Sequence, residues 1–411
     1  MIYSQIPISE LIIRANTGLD AIKRAPIVDE YTGIKCLRIQ DISQKKSFVN
    51  WGNTKVSDKD YIKFQLKPNY ILIARTGASI GVAKYIKNEM TAVFNNGLIR
   101  IEPDTDKVDP KYLFYNLISQ KYKDHIFGVS AGTATQPNMK MRDLLRYMIS
   151  YPKLNDQKAI ANILSSLDEK IELNNKINKN LEELAQTIYK RWFVDFEFPN
   201  EDGEPYKSSG GEMIESELGL IPSKWEILFL KERFEFERGI EPGSKNYKEA
   251  KEIDHIPFFR VGDLVDNKSV FIHKDLVKNK FVNQTDVLVS FDGAIGRVAT
   301  GYSGAYSTGM RKIYDKGGEI HAEFIYFLFK SDEIQNKMTE HADGTTILHA
   351  GSSIDYLKTP YNKEKTLSFQ KLVRPIFNRI ISIKNENLKL VKTRDILLPK
   401  LMSGEIEVPY E

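Results

Sequence analysis

The feature that most constrains how this 411-residue chain can fold is an internal duplication, its two copies set about half the chain apart. Ile8 to Gly18 (ISELIIRANTG) resembles Leu230 to Gly239 (LKERFEFERG), and Leu37 to Ile42 (LRIQDI) matches Phe259 to Leu264 (FRVGDL). Tyr70 to Gly81 (YILIARTGASIG) matches Asp286 to Gly296 (DVLVSFDGAIG), Gly132-Thr133 matches Gly344-Thr345, and Tyr151-Pro152 matches Thr359-Pro360. The offset falls steadily, from 222 (Leu37 to Phe259) through 216 (Tyr70 to Asp286) and 212 (Gly132 to Gly344) to 208 (Tyr151 to Thr359). Small deletions in the second copy produce such a one-way drift, whereas chance matches scatter. The chain therefore reads as two like domains, in keeping with a length beyond one ordinary core.

Each copy opens with strand-like segments, Ile71-Leu72-Ile73 and Val287-Leu288-Val289 among them, broken by Gly, Asn and Asp turns. A short helix is predicted in each, Pro110 to Gln120 and Ala322 to Asp332, and the Tyr/Thr-Pro step then leads into a long helix. From Asp156 to about Phe193, apolar residues fall at Leu164, Leu167, Ile171, Ile177, Leu181, Leu184 and Ile188. From Leu367 to about Met402 they fall at Leu372, Ile376, Ile380, Ile383, Leu390 and Leu397, with Asn387 and Arg394 interrupting. Steps of three and four make a helical seam rather than a helix laid on a sheet. A helix of nearly 40 residues is about 58 Å long at 1.5 Å per residue, so its stripe needs a long partner. The other long helix is the obvious one; a second copy of the chain is the alternative. Asn174 and Asn387 fall in the seam, either as buried register pins or as residues turned to solvent at a local irregularity.

The predicted class is α+β: two mixed α/β domains separated by two long antiparallel coiled-coil helices, in a pseudo-two-fold internal repeat. The boundaries are 1–152 for the first globular domain, 153–199 for the central helix, 200–222 for a polar linker, 223–361 for the second domain and 362–411 for the C-terminal helix. Charge is uneven across these parts. Residues 1–152 hold 22 Lys and Arg against 14 Asp and Glu, net +8, whereas residues 223–361 hold 19 against 21, net −2. The first domain can carry a phosphate-binding surface, while the second needs its bases gathered on one face. A single cysteine, Cys36, excludes an internal disulfide and points to a reducing compartment. With no apolar run near the roughly 20 residues of a membrane span and no signal-peptide pattern, a cytoplasmic location is expected.

Enzyme classes fare poorly. There is no GxxxxGK[ST] phosphate loop and no Asn/Asp-Pro-Pro-Tyr/Phe run of the adenine-methyltransferase kind. The six histidines are scattered without metal-ligand spacing, and one cysteine builds no zinc site. GASIG and GAIG are turns between strands rather than a dinucleotide fingerprint. A non-catalytic chain without a cofactor or metal of its own is expected.

The segment Glu217 to Trp225 (ELGLIPSKW), the FRVGDL strand, the DVLVSFDGAIG turn and the helix end Lys400 to Ile406 (KLMSGEI) resemble type I restriction–modification specificity subunits. Ala185 to Phe193 (AQTIYKRWF) is similar to the central helix end of that family, and the likeness covers the whole chain in the order domain, helix, domain, helix. The first copy departs from the pattern in having no LGLIPxxW lead-in. The resemblance implies that each globular domain is a target-recognition domain reading one half of an asymmetric, bipartite double-stranded DNA site. It implies that the helices set the separation of the half-sites and dock two methyltransferase subunits, with restriction–translocase subunits as further partners. S-adenosylmethionine would then belong to the methyltransferase, and ATP and Mg to the restriction partner. A coiled-coil scaffold with two protein-binding domains is the alternative.

Residues expected to meet DNA are polar or basic and sit on turns beside the repeated strands, where a rigid scaffold presents recognition groups. In the first copy they are Lys45, Lys46, Arg75, Thr76, Ser79, Thr133, Thr135, Gln136, Asn138 and Lys140. In the second they are Lys268, Asp292, Arg297, Arg311, Thr345, Thr346 and His349. Arg and Lys grip phosphate or guanine, and Gln or Asn pairs with adenine in the major groove. Gly77, Gly81, Gly293 and Gly296 are read as turn formers. Arg38 and Arg260 are either ion-pair partners or DNA contacts.

Overall fold

A computed structural model describes residues 3–130, 138–266, 269–344 and 348–408. The chain forms two compact units, residues 1–171 with 389–411, and residues 172–388.

In the first unit, a four-stranded antiparallel sheet runs in the order Ile12–Thr17, Leu98–Pro103, Ile71–Ala74, Ala83–Tyr85. A second sheet runs Ile27–Val28, Gly52–Thr54, Lys35–Leu37, Ala92–Phe94, with its last pair parallel. The strand Ile71–Ala74 reads as a continuous apolar run because both of its faces are covered. Ile71 and Ile73 enter one core with Tyr112 and Leu113, while Leu72 and Ala74 enter another with Phe94 and Trp51. That partition follows from the alternation of side chains along a strand. A two-stranded ribbon, Ser4–Pro7 with Met148–Tyr151, closes the domain.

The second unit repeats this plan. Phe234–Arg238, Met310–Asp315, Val287–Ser290 and Val298–Ala299 form one sheet in that order. Val270–His273, His255–Phe259, Gly304–Tyr306 and Phe281–Val282 form the other, again with one parallel pair. The small sheets differ at their edges: the first unit adds Ile27–Val28 beside Gly52–Thr54, the second adds Phe281–Val282 beside Gly304–Tyr306. The ribbon Glu226–Phe229 with Lys358–Tyr361 answers the first. Its register corrects the Tyr-Pro/Thr-Pro match. Tyr151 faces Ser4 and Tyr361 faces Glu226, so Tyr361, not Thr359, is the counterpart of Tyr151. Pro360 lies inside its strand, tolerated because a two-stranded ribbon leaves an open edge that needs no N–H. Two short helices replace the predicted one in each copy, Pro110–Ile118 then Gln120–Ser130, and Ala322–Phe329 then Asp332–Glu340. A serine stands at each break, Ser119 and Ser331, and such residues favour a new helix start over helix continuation.

The long helices span Leu154–Phe193 and Lys363–Ser403. The second continues through Pro375, which forfeits one backbone hydrogen bond. Val373 and Phe377, on either side of it, are buried in the unit's core and hold the helix together there. It ends at Gly404, whose φ of +79° suits a glycine terminator. Within the second unit, Tyr189 and Phe193 pack on Phe324 and Phe369 at ring distances of 5.1 to 5.7 Å. Each buried ring of this size contributes roughly 1.5–3 kcal/mol. Within the first unit, Leu398, Leu401 and Met402 join the core of Ile160 and Leu164.

Among the seam residues, Ile380 and Ile383 are fully buried, and Leu167, Ile171, Ile177, Leu181, Ile376 and Leu390 are half-buried. Leu184 is a correction, being 51% exposed. Ala185 and Tyr189 occupy the packed face instead, because the seam passes through polar Asn174 and Asn178 and shifts by one position from an all-apolar reading. Leu372 is exposed for the same reason, its place taken by Val373. Asn174 and Asn387 are both buried: Asn174 Nδ2 donates to Asn387 Oδ1 at 2.8 Å, and Asn387 Nδ2 donates to Asn175 Oδ1 at 2.9 Å. With Asn178 Nδ2 donating to the Ile380 carbonyl, residues ascending in one helix meet residues descending in the other, so here the helices run antiparallel.

Candidate nucleic-acid interface

Both units build the same junction from the same backbone bonds. In the first, the turn after Ile71–Ala74 meets the loop at Asn138: Thr76 bridges Asn138, and Met139 N donates to Arg75 O at 2.8 Å. In the second, the turn after Val287–Ser290 meets the loop at His349: Asp292 bridges His349, and Ala350 N donates to Phe291 O at 2.7 Å. The glycines shape these turns. Gly77 and Gly81, like Gly293 and Gly296, have φ between +75° and +81°, where a side chain is strained. Gly18 and Gly239 allow the neighbouring crossing, since a Cβ at either would lie 2.2 to 2.3 Å from the carbonyl of Phe94 or Tyr306.

The structure thus brings together Arg75, Thr76 and Asn138 in one unit, and Asp292 and His349 in the other. Ser79 lies on the same turn as Thr76, and Lys140 just beyond Asn138, exposed. Lys45 is exposed, but Lys46 sits 3.7 Å from the buried carboxylate of Asp41. Arg297 is turned inward and donates to the Val261 carbonyl at 2.9 Å. Arg311 is half-buried over the Phe291 ring and donates to Thr308 O at 2.8 Å. Burial lowers its pKa, with Arg238 nearby adding to the effect. Thr133, Thr135, Gln136, Lys268, Thr345 and Thr346 lie outside the described residues.

Arg38 and Arg260 each form an ion pair within their own domain. Arg38 N and Nε donate to Asp41 Oδ2 at 3.0 and 3.1 Å, and Arg260 N and Nε donate to Asp263 Oδ2 at 2.8 Å each. The first pair caps the short helix Ile39–Ser43, and the second stands at the start of Asp263–Asp266.

Sequence reasoning passed over Arg238. Its side chain is 62% exposed, its Nη2 lies 3.9 Å from Asp292, and it directly precedes Gly239, which the repeat had already aligned with Gly18. His349 Nδ1 lies 2.9 Å from Asp292 Oδ1, so a carboxylate is flanked by an imidazole and a guanidinium. A second unforeseen pair lies beneath each junction. Arg100 is buried, donates to Asn16 Oδ1 at 2.8 Å and stacks on Tyr70 and Phe94. In the second unit Lys312 meets Glu237 at 3.1 Å, in the matching strand pair. Among the described residues, no three His, Cys, Asp or Glu gather as metal ligands, and no helix is long and apolar enough to cross a membrane.

The chain is similar to known proteins over most of its length. The chain is 26% identical over 407 residues to the type I restriction enzyme HindI specificity subunit of Haemophilus influenzae, covering 84% of this chain and 88% of that protein. It is 28% identical over 386 residues to the MjaIX specificity subunit of Methanocaldococcus jannaschii, covering 88% of this chain and 84% of that one. The crystal structure of a type I restriction–modification S subunit from M. genitalium superposes with a TM-score of 0.54 at 20% identity, over 98% of this chain and 96% of that one. The model of the type I restriction modification DNA specificity domain matches twice, over residues 20–183 and 222–354, once on each copy of the repeat. Together those spans take in well over half of the sequence, and the chain belongs to the type I restriction modification DNA specificity family.

Proposed function

We propose that this chain is the DNA-sequence-specificity subunit of a type I restriction–modification complex, each globular domain reading one half of an asymmetric, bipartite duplex site. The observation that carries this is the pair of junctions, alike in backbone and unlike in side chains. Thr76 and Asn138 stand in one, and Asp292 and His349 in the other. Two readers sharing a scaffold but not a surface chemistry select two different half-sites, and a rigid connection between them fixes their spacing. A scaffold for two protein partners is disfavoured because each copy of the repeat matches the DNA specificity domain of this family.

In this reading the chain itself is not catalytic. It docks two methyltransferase subunits against its long helices, which act as the ruler. The partner flips the target base from the stack and supplies S-adenosylmethionine, while restriction–translocase subunits bring ATP and Mg. We place the protein in the cytoplasm, consistent with its one buried, unpaired cysteine. Lys45, Arg75, Thr76, Ser79, Asn138 and Lys140 are the DNA-facing candidates of the first domain, and Arg238 and His349 those of the second, with Asp292 and Arg311 set behind them.

The test is methylome sequencing of cells that express the chain with its methyltransferase subunits. The expected result is methylation within one split motif whose halves differ in sequence. Methylation without sequence preference, or none when the complex has assembled, overturns the reading.

A further inference from the structure

Four backbone positions correspond at the two junctions. At the end of the first sheet strand stand Thr17 and Arg238, and facing them on the neighbouring strand stand Ile99 and Arg311. On the turn stand Thr76 and Asp292, and on the bridging loop Asn138 and His349. The first domain fills all four with uncharged residues. The second fills all four with ionisable ones, tied into one network. Arg238 Nε and Arg311 Nη1 both donate to the Thr308 carbonyl, at 3.3 and 2.8 Å. Asp292 lies 2.9 Å from His349 Nδ1 and 3.9 Å from Arg238 Nη2.

We propose that these four positions carry the difference between the half-sites, Asn138 selecting an adenine in one and Arg238, held by Asp292 and His349, selecting a guanine in the other. The inference rests on the DNA-reading function above and adds residue roles and base classes to it. A carboxamide offers a donor and an acceptor side by side, which matches adenine N7 and N6 in the major groove. A guanidinium offers only donors, which match guanine N7 and O6. Asp292 is a positioning residue. Its side chain is 19% exposed against 58% for His349 and 62% for Arg238, so the carboxylate sits behind the two groups that it orients. The His349 ring, donating through Nδ1, holds the carboxylate in place and through it Arg238, whose guanidinium meets the base. Arg311, over Phe291 and anchored to Thr308, braces the network from within.

The test uses the full chain in complex with its methyltransferase subunits, and methylation rates on duplexes that vary one base pair at a time. Arg238→Thr installs the first domain's residue at an exposed site where folding is insensitive, and His349→Asn does the same on the loop. Each is expected to reduce discrimination for one guanine of one half-site by roughly 10- to 100-fold, with the other half-site read as before. Asn138→Ala is expected to relax an adenine in the opposite half. Asp292→Asn keeps the shape of the turn and is expected to reduce the same guanine preference as His349→Asn. The untouched half-site reports within each assay that the variant is folded and assembled. If the natural complex methylates one split motif and the Arg238 and His349 variants leave both halves unchanged, the assignment is wrong while the function stands. The same holds if those variants alter a base pair other than guanine–cytosine. If the natural complex shows no split motif, the function itself fails.

Discussion

Removing the carboxamide of Asn387 separates the two ways in which a buried polar pair can matter. In Asn387→Ala, Asn174 Nδ2 loses its acceptor at 2.8 Å and stays buried. Asn175, the other partner, is exposed and recovers its bond from water. The cost is therefore one unsatisfied buried donor, about 1–3 kcal/mol, offset by a few tenths from the better helix propensity of alanine. Asn174 Oδ1 already lacks a partner, so the pair stands on a single bond in a layer that apolar residues could fill. Replacing both residues, Asn174→Leu with Asn387→Leu, is accordingly expected to leave stability unchanged or raise it. Urea titration followed by far-UV circular dichroism measures both. The single variant should lower the midpoint by roughly 0.5–1 M, and the double variant should restore it. The double variant is also expected to lose register specificity, methylating sites whose half-site separation differs from the natural one. A single variant as stable as the parent, or a double variant less stable than the single, refutes the argument.

Further outcomes are expected elsewhere. Burial alone would raise the pKa of Glu182, but Lys330 and Lys384 beside it, with hydrogen bonds from Lys330 and Tyr326, hold it below the usual carboxylate range. Its contribution is therefore present above the unfolded-state pKa and lost as pH falls through the lowered folded-state value. Glu182→Gln should weaken the protein at pH 7 and flatten the decline of its urea midpoint below pH 5; parallel curves would exclude that role. Burial pushes the Cys36 thiol up to about 12, so iodoacetamide at pH 8 should modify it in urea but not in the native protein. Exchanging residues 1–152 for the equivalent part of another specificity subunit should change one half-site only, and a change in both argues against independent readers. Inserting four residues after Asn174 adds about 6 Å of helix and should alter the preferred spacing with both half-sites still read; unchanged spacing would remove the helices as the ruler.

The parts of the fold legible in the sequence are those set by local pattern. The repeat placed the strand Ile71–Ala74 beside its counterpart Val287–Ser290 because an apolar run bounded by turn residues survives divergence. The long helices were legible from steps of three and four. The error at Leu184 arose because period alone does not say which polar residues are buried. Asn174 and Asn178 occupy core positions, and that becomes evident only once the partner helix is in place. At the junctions, glycine turns identified Thr76 and Asp292, but Arg238 stayed hidden. A strand-end arginine looks like any solvated charge until another strand sets it beside Asp292. Arg297 shows the converse, a turn arginine chosen for its charge that faces a carbonyl inside the domain.

The discontinuous make-up of the first unit has a consequence for synthesis. Residues 1–171 leave the ribosome first, yet Ile160 and Leu164 wait for Leu398, Leu401 and Met402, more than two hundred residues later. The second unit, residues 172–388, is continuous and can close while its predecessor still lacks a wall. The domain translated first is therefore completed last. In the interval its unfinished face is an apolar surface available to chaperones, to other nascent copies, or to an early-binding partner.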